Sequence, residues 1–164
     1  MNTIIDYLQD QLRKEATTTR NMLKRVPEEK LDWQPHPKSM SLVRLATHVA
    51  EIPGWIPMVT EKDELNFAQG DYQPHIINTN QELVNYFEQK EKEGEQALSR
   101  SNDNILDKRW VMRGGDEVFV DSNKGDVLRM CLSQIIHHRA QLGVYLRLLD
   151  IPIPGSYGPS ADEQ

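Results

Sequence analysis

The stretch SQIIHHRAQLGVYLRLLD, Ser133 to Asp150, decides the fold because it closes the longest clean helical pattern in the chain. From Gly125 onward the pattern runs through Val127, Cys131, Ile135, His138, Leu142, Tyr145, Leu146 and Leu149. These steps of three and four place their side chains on one face of an α-helix. Pro152 and Pro154 then stop it. Consecutive helical residues point about 100° apart, so the adjacent His137 and His138 cannot share a face. The seam through Cys131, Ile135 and Leu142 predicts an inward His138, with Gln134 only about 40° around the axis. His137 falls on the ridge of Met130, Gln141 and Val144, nearer the boundary.

Three more helical patterns precede this one. Ile4, Ile5, Leu8, Leu12, Ala16, Met22, Leu23 and Val26 predict a first helix within Thr3–Val26, ended by Pro27. A proline-punctuated loop, EEKLDWQPHPKS, follows, with Trp33 as its expected anchor. Ser41 is a suitable cap for a second helix whose stripe is Leu42, Leu45, Ala46, Val49, Ile52, Ile56 and Val59. Pro53 and Gly54 interrupt that stripe and predict a kink or early end. Glu61 to Ile77 reads as a polar connection. Asn80 is the expected cap of a third helix, Gln81 to about Ser101, with a thin stripe of Leu83, Phe87, Gly94, Ala97 and Leu98. KRWVMRGGDEVFVD alternates around a Gly-Gly pair and predicts a short β-hairpin before the last helix. The expected fold class is therefore all-α, a four-helix bundle in one domain spanning residues 1–164.

Composition narrows the partners. The 164 residues carry a formal net charge of −6, which opposes a binder that neutralises nucleic-acid phosphates. No apolar run approaches the roughly 20 residues of a membrane span. Cys131 is the single cysteine, which rules out an intramolecular disulfide. The opening MNTIIDYLQD lacks the basic and apolar regions of an export signal, so the expected compartment is the cytoplasm. Neither nucleic acid nor a membrane is an expected partner. Nothing basic lies near Cys131 in sequence to activate it, and it reads as a small buried hydrophobe. His36 and His75 fall in proline-flanked loops and read as solvated.

The candidate chemistry lies on the second and last helices. His48 sits at the edge of the second stripe, and Glu51 follows three residues later on the same side. Were these helices neighbours, His48 and His138 would converge, and imidazoles from different helices are how bundles build metal sites. The alternative from spacing alone is a hydrogen-bonded core cluster in which the same residues serve packing. Arg139 reads either as a binder of a substrate carboxylate or as a structural ion pair. Trp55 and Tyr157 are candidates to line a pocket near the helix ends.

Three stretches, WQPHPKSM, SLVRLATHVAEIPGW and IIHHRAQLGVYLRLLDIPIPGSYGPSADE, together resemble the DinB/YfiT-like metalloenzyme family, most sharply in HHRAQLGVYLR. The resemblance implies a four-helix bundle in up-down-down-up order, a homodimer, and a divalent metal held by three histidines. Carried over by position, His48 matches the first ligand and His138 the last, while the remaining ligand position holds Gln134. An amide oxygen is a harder, uncharged and weaker donor than imidazole, so a weakened site is expected. Gln134 could complete it, His137 or Glu51 could substitute, or the site could stand vacant. Glu51 is the candidate catalytic base or orienting partner. The resemblance further implies zinc or nickel, a low-molecular-weight thiol such as bacillithiol or mycothiol, and a small-molecule substrate. The activity it implies is that of a thiol S-transferase or hydrolase. The competing expectation, resting on Gln134, is a catalytically degenerate, metal-poor bundle serving as a stress-linked binding or scaffold protein.

Overall fold

A computed structural model describes residues 3–70, 72–73 and 75–163. Helix α1 spans Ile4–Leu23 and opens with a reciprocal cap, in which Thr3 Oγ1 accepts from the Asp6 amide and Asp6 accepts from the Thr3 amide. Helix α2 spans Leu42–Glu51 and is capped by Ser41, as its sequence predicts. Pro53 cannot donate to the helical ladder, and the chain tightens there into a 3₁₀ turn over Ile52–Gly54. It then resumes as α3, Trp55–Glu61. Helix α4 spans Asn80–Ser99 and α5 spans Lys124–Leu148.

The cap of α4 is Thr79, one residue earlier than expected, because Glu82 completes a capping box with it. Asn80 is engaged elsewhere: its amide donates to the Leu23 and Val26 carbonyls at 2.8 and 2.9 Å. That contact satisfies one carbonyl at the end of α1 and one just beyond it, and ties the helix to α4. Trp33 meets Tyr145 edge to face at 5.6 Å, anchoring the α1–α2 loop on α5.

The hairpin is present, and the sheet is larger than predicted. β2 (Arg109–Gly114) pairs antiparallel with β3 (Glu117–Asn123), and β1 (Glu64–Asn66) adds parallel to the other side of β2. β1 comes from the stretch expected to be a polar connection. Three residues are too few to display alternation, so the strand has no local signature. The protein is thus mostly helical with a three-stranded sheet, and the all-α expectation is corrected to that extent.

Packing follows a simple rule of neighbours. α1 lies against α4 and α5, α2 lies against the same two helices, and α1 and α2 touch little. The buried apolar residues form two clusters. One contains Leu12, Ile52, Ile56, Trp110, Cys131 and Ile135; the other contains Leu23, Leu45, Val49, Phe87, Leu142 and Leu146. Along α1 the change between clusters falls between Leu12 and Ala16, on α2 at Glu51, and on α5 between Ile135 and Leu142. At this level the chain buries Glu15, Glu51 and Arg139. Among the described residues no helix is long and apolar enough to cross a membrane.

Gly94 marks the tightest approach between α4 and the kink. A Cβ there would stand 2.7 Å from the Pro53 carbonyl oxygen, with Ile56 and Leu12 at 3.3 Å. The obstacle is backbone, so a side chain cannot turn away. Gly94→Ala is expected to cost about 1–3 kcal/mol, although alanine favours helix more than glycine does. Urea unfolding would measure it, and a more stable variant would show that the kink yields freely.

Candidate metal centre

The last helix differs from its expected orientation. Of His137, His138 and Arg139, it is Arg139 that is buried, at 2% exposure. Its guanidinium donates to Glu15 Oε2 at 2.6 Å, to the Glu15 carbonyl at 3.2 Å and to Thr19 Oγ1 at 3.2 Å. Tyr157 closes this group from the C-terminal segment: its hydroxyl donates to Glu15 Oε1 at 2.8 Å and accepts from Arg139. Of the two readings of Arg139, the structure gives the ion pair. His138 is consequently rotated outward to a half-buried position, and His137 is exposed.

That rotation still brings His138 to His48. The two rings stand 4.6 Å apart between centroids, inclined at 68°. Each is held at Nδ1 by an oxygen. His48 Nδ1 donates to Glu51 Oε1 at 2.6 Å, and His138 Nδ1 donates to Gln141 Oε1 at 2.7 Å. Nε2 of each ring is then the basic nitrogen, without a hydrogen-bond partner among the described residues. A carboxylate or carbonyl on one ring nitrogen, leaving the other as the donor, is the arrangement typical of metal-ligating histidine. Burial holds the His138 imidazole below its ordinary pKa, opposed by the Gln141 hydrogen bond and aided by the nearby His48. At neutral pH it is uncharged, the form that coordinates metals.

Glu51 is 3% exposed and its oxygens are already committed. Besides His48, the Tyr72 hydroxyl lies 3.0 Å from both of its oxygens, and Arg44 Nη1 lies 3.7 Å from Oε1. It therefore occupies the Nδ1 side of His48, away from the nitrogen that would ligate. Gln134 is half-buried, and its side chain makes no hydrogen bond among the described residues. Among those residues, no three or more of His, Cys, Asp and Glu are grouped to hold a metal ion. The donors that the structure brings together are the two imidazoles of His48 and His138; they fit a borderline divalent cation such as zinc, more weakly than three imidazoles would.

The other expected residues are dispersed. His36 is exposed and accepts from the Lys38 amide, and His75 is exposed and stacks on Tyr86 at 4.2 Å. Cys131 is fully buried, and burial pushes its thiol up to about 12, which leaves it unreactive. Trp55 meets His48 at 5.7 Å and lines a cavity of about 200 Å³ with Glu51, Tyr72, Tyr86 and Lys90. Tyr157 lines a different cavity, beside α5 and the C-terminal segment. Tyr72 was not among the expected site residues. It lies in an aperiodic polar stretch, and nothing in its neighbourhood in sequence marks it.

The family model for the DinB family matches residues 1–164, and the chain belongs to that family. An uncharacterized protein of Bacillus subtilis strain 168, YrdA, is 24% identical over 160 residues, covering 97% of this chain and 91% of the relative. The fold is shared with the crystal structure of a DinB-like protein of B. subtilis, YjoA, with a TM-score of 0.70 and 14% identity. That match covers 96% of this chain and 99% of the other. A DinB-like protein of Bacillus cereus ATCC 10987 matches with a TM-score of 0.67 and 20% identity, covering 92% and 95% of the two chains.

Proposed function

We propose that this DinB-family chain is a divalent-metal-dependent enzyme acting on a small molecule, with His48 and His138 as its ligands and Gln134 or water completing the coordination. The observation that carries this reading is the paired histidines, each oriented through Nδ1 by an oxygen of its own helix. A divalent ion, zinc or nickel, would supply Lewis acidity that lowers the pKa of a thiol or water nucleophile. Thiol S-transfer and hydrolysis both use that property. Glu51 orients His48 and, through the wall it shares with the adjacent cavity, faces the space where a substrate would lie. With both oxygens accepting hydrogen bonds, its role in this arrangement is orientation rather than proton abstraction.

The bundle order up-down-down-up, a homodimer and a cytoplasmic setting belong to the same proposal. The neighbour pattern of α1 and α2 with α4 and α5 supports the first. Val144 and Leu148, exposed on α5, supply apolar surface for the second. The competing reading, a metal-poor scaffold, is favoured by Gln134 in place of a third imidazole.

Metal analysis separates them. Protein purified without a nickel column and then incubated with zinc or nickel is expected to retain about one ion per protomer. His48→Ala and His138→Ala should each lose it. Well under one ion per protomer in the parent, or an unchanged content in both variants, would overturn the metalloenzyme reading.

A further inference from the structure

Glu51 presents an unusual problem for the fold. A carboxylate 3% exposed must be supplied with donors, and its own helix provides only the His48 ring. Arg44 at 3.7 Å lends charge but stands beyond hydrogen-bond range. The remaining donor arrives from 21 residues away: the Tyr72 hydroxyl, equidistant at 3.0 Å from both carboxylate oxygens. A hydroxyl centred on the two oxygens fixes the carboxylate plane as well as its position.

The phenol is itself held by aromatic contacts. Its ring meets Phe67 edge to face at 6.0 Å, and Phe67 meets Phe119 of β3 at 6.1 Å. A line of contacts thus runs from the sheet through Phe67 and Tyr72 to Glu51, and from Glu51 to His48. Burial and the neighbouring Glu51 charge keep the phenol pKa above its ordinary value, so the hydroxyl remains a donor.

We infer that Tyr72 is a positioning residue for His48: by fixing the Glu51 carboxylate, it keeps the imidazole proton on Nδ1 and presents Nε2 as the lone-pair nitrogen. Loss of the hydroxyl leaves Glu51 free to rotate, weakens its hold on Nδ1–H, and lets the other tautomer form. The inference rests on the proposed role of His48 only for its effect on metal; the tautomer is a property of the metal-free protein.

The test is Tyr72→Phe, which keeps the ring and its Phe67 contact. In metal-free, ¹⁵N-histidine-labelled protein, long-range ¹H–¹⁵N spectra report each tautomer. The parent is expected to show His48 as Nδ1–H, and Tyr72→Phe should move the ratio about fivefold toward Nε2–H, the scale of one lost hydrogen bond. His138, held by Gln141, should not move. Glu51→Leu, which leaves His48 Nδ1 without its acceptor, should shift His48 at least as far, which guards against misreading a repacked Tyr72→Phe. Zinc affinity, from competition with a chromophoric chelator, should fall about tenfold in Tyr72→Phe. An unchanged His48 tautomer in Tyr72→Phe would overturn the inference, whether or not the Glu51 variant shifts it and even if the parent binds zinc. A shifted tautomer in a parent that binds no zinc would uphold it while removing the metal reading.

Discussion

Arg139→Met is expected to destabilise the protein by about 3–5 kcal/mol, the penalty for stranding one member of a buried ion pair. Glu15 is 3% exposed, and without the guanidinium its carboxylate would keep only neutral donors, Tyr157 at 2.8 Å and Gln11 at 3.2 Å. These can hydrogen-bond the charge but not balance it. The Glu15 carbonyl and Thr19 hydroxyl would lose a donor at the same time. The double variant Glu15→Leu with Arg139→Met removes both charges, and most of the loss should return. Equilibrium urea unfolding of the four proteins gives the coupling directly. A single-variant loss below about 1 kcal/mol would mean that Glu15 reaches solvent or takes up a proton readily, and that the pair does not organise the core.

Gln134→His should tighten zinc binding by at least about a hundredfold. Changes to outer partners of a metal site shift affinity roughly 10–100-fold, and changing a ligand itself should exceed that. Gln134 is half-buried, one helical turn before His138, and its side chain makes no hydrogen bond among the described residues, so the exchange breaks no side-chain bond. The new imidazole would add a third nitrogen donor to His48 and His138, the set that suits tetrahedral zinc with one open position. Competition titration against a chelator of known affinity measures the change. An affinity within about threefold of the parent would place residue 134 outside the coordination sphere, and the two histidines would then have to act without it.

Much of the fold was readable because helices announce themselves by spacing. The stripe of α2, its Ser41 cap and the break at Pro53 all arise from local rules, and the structure shows each of them. His48 and Glu51 were likewise placed correctly relative to one another, since three residues on a helix fix a side-chain pair. The error on α5 has a physical cause. Hydropathy ranks arginine as an outward residue, so periodicity alone runs the seam through His138. What turns Arg139 inward is Glu15, 124 positions earlier, and no periodicity reports a partner at that distance. Tyr72 escaped for a related reason: its place is set by Phe67 and by a carboxylate on another helix, not by its neighbours in the chain. β1 is too short to carry a pattern, and its hydrogen bonds are supplied by β2, more than 40 residues on.

The arrangement of α1 and α2, which follow one another in the chain yet hardly touch, shapes how the molecule can assemble. Each finds its main partners only in the second half of the sequence. While the chain is being synthesised, the first two helices expose apolar stripes that have nothing of their own to cover them. Such segments are marginal in water by themselves, and the interfaces that stabilise them require closure of long loops, whose entropy cost must be met before packing rewards it. The N-terminal half can therefore begin to pack only once α4 has emerged, and the Arg139–Glu15 pair, which joins the last helix to the first, can form only when synthesis has passed the midpoint of α5.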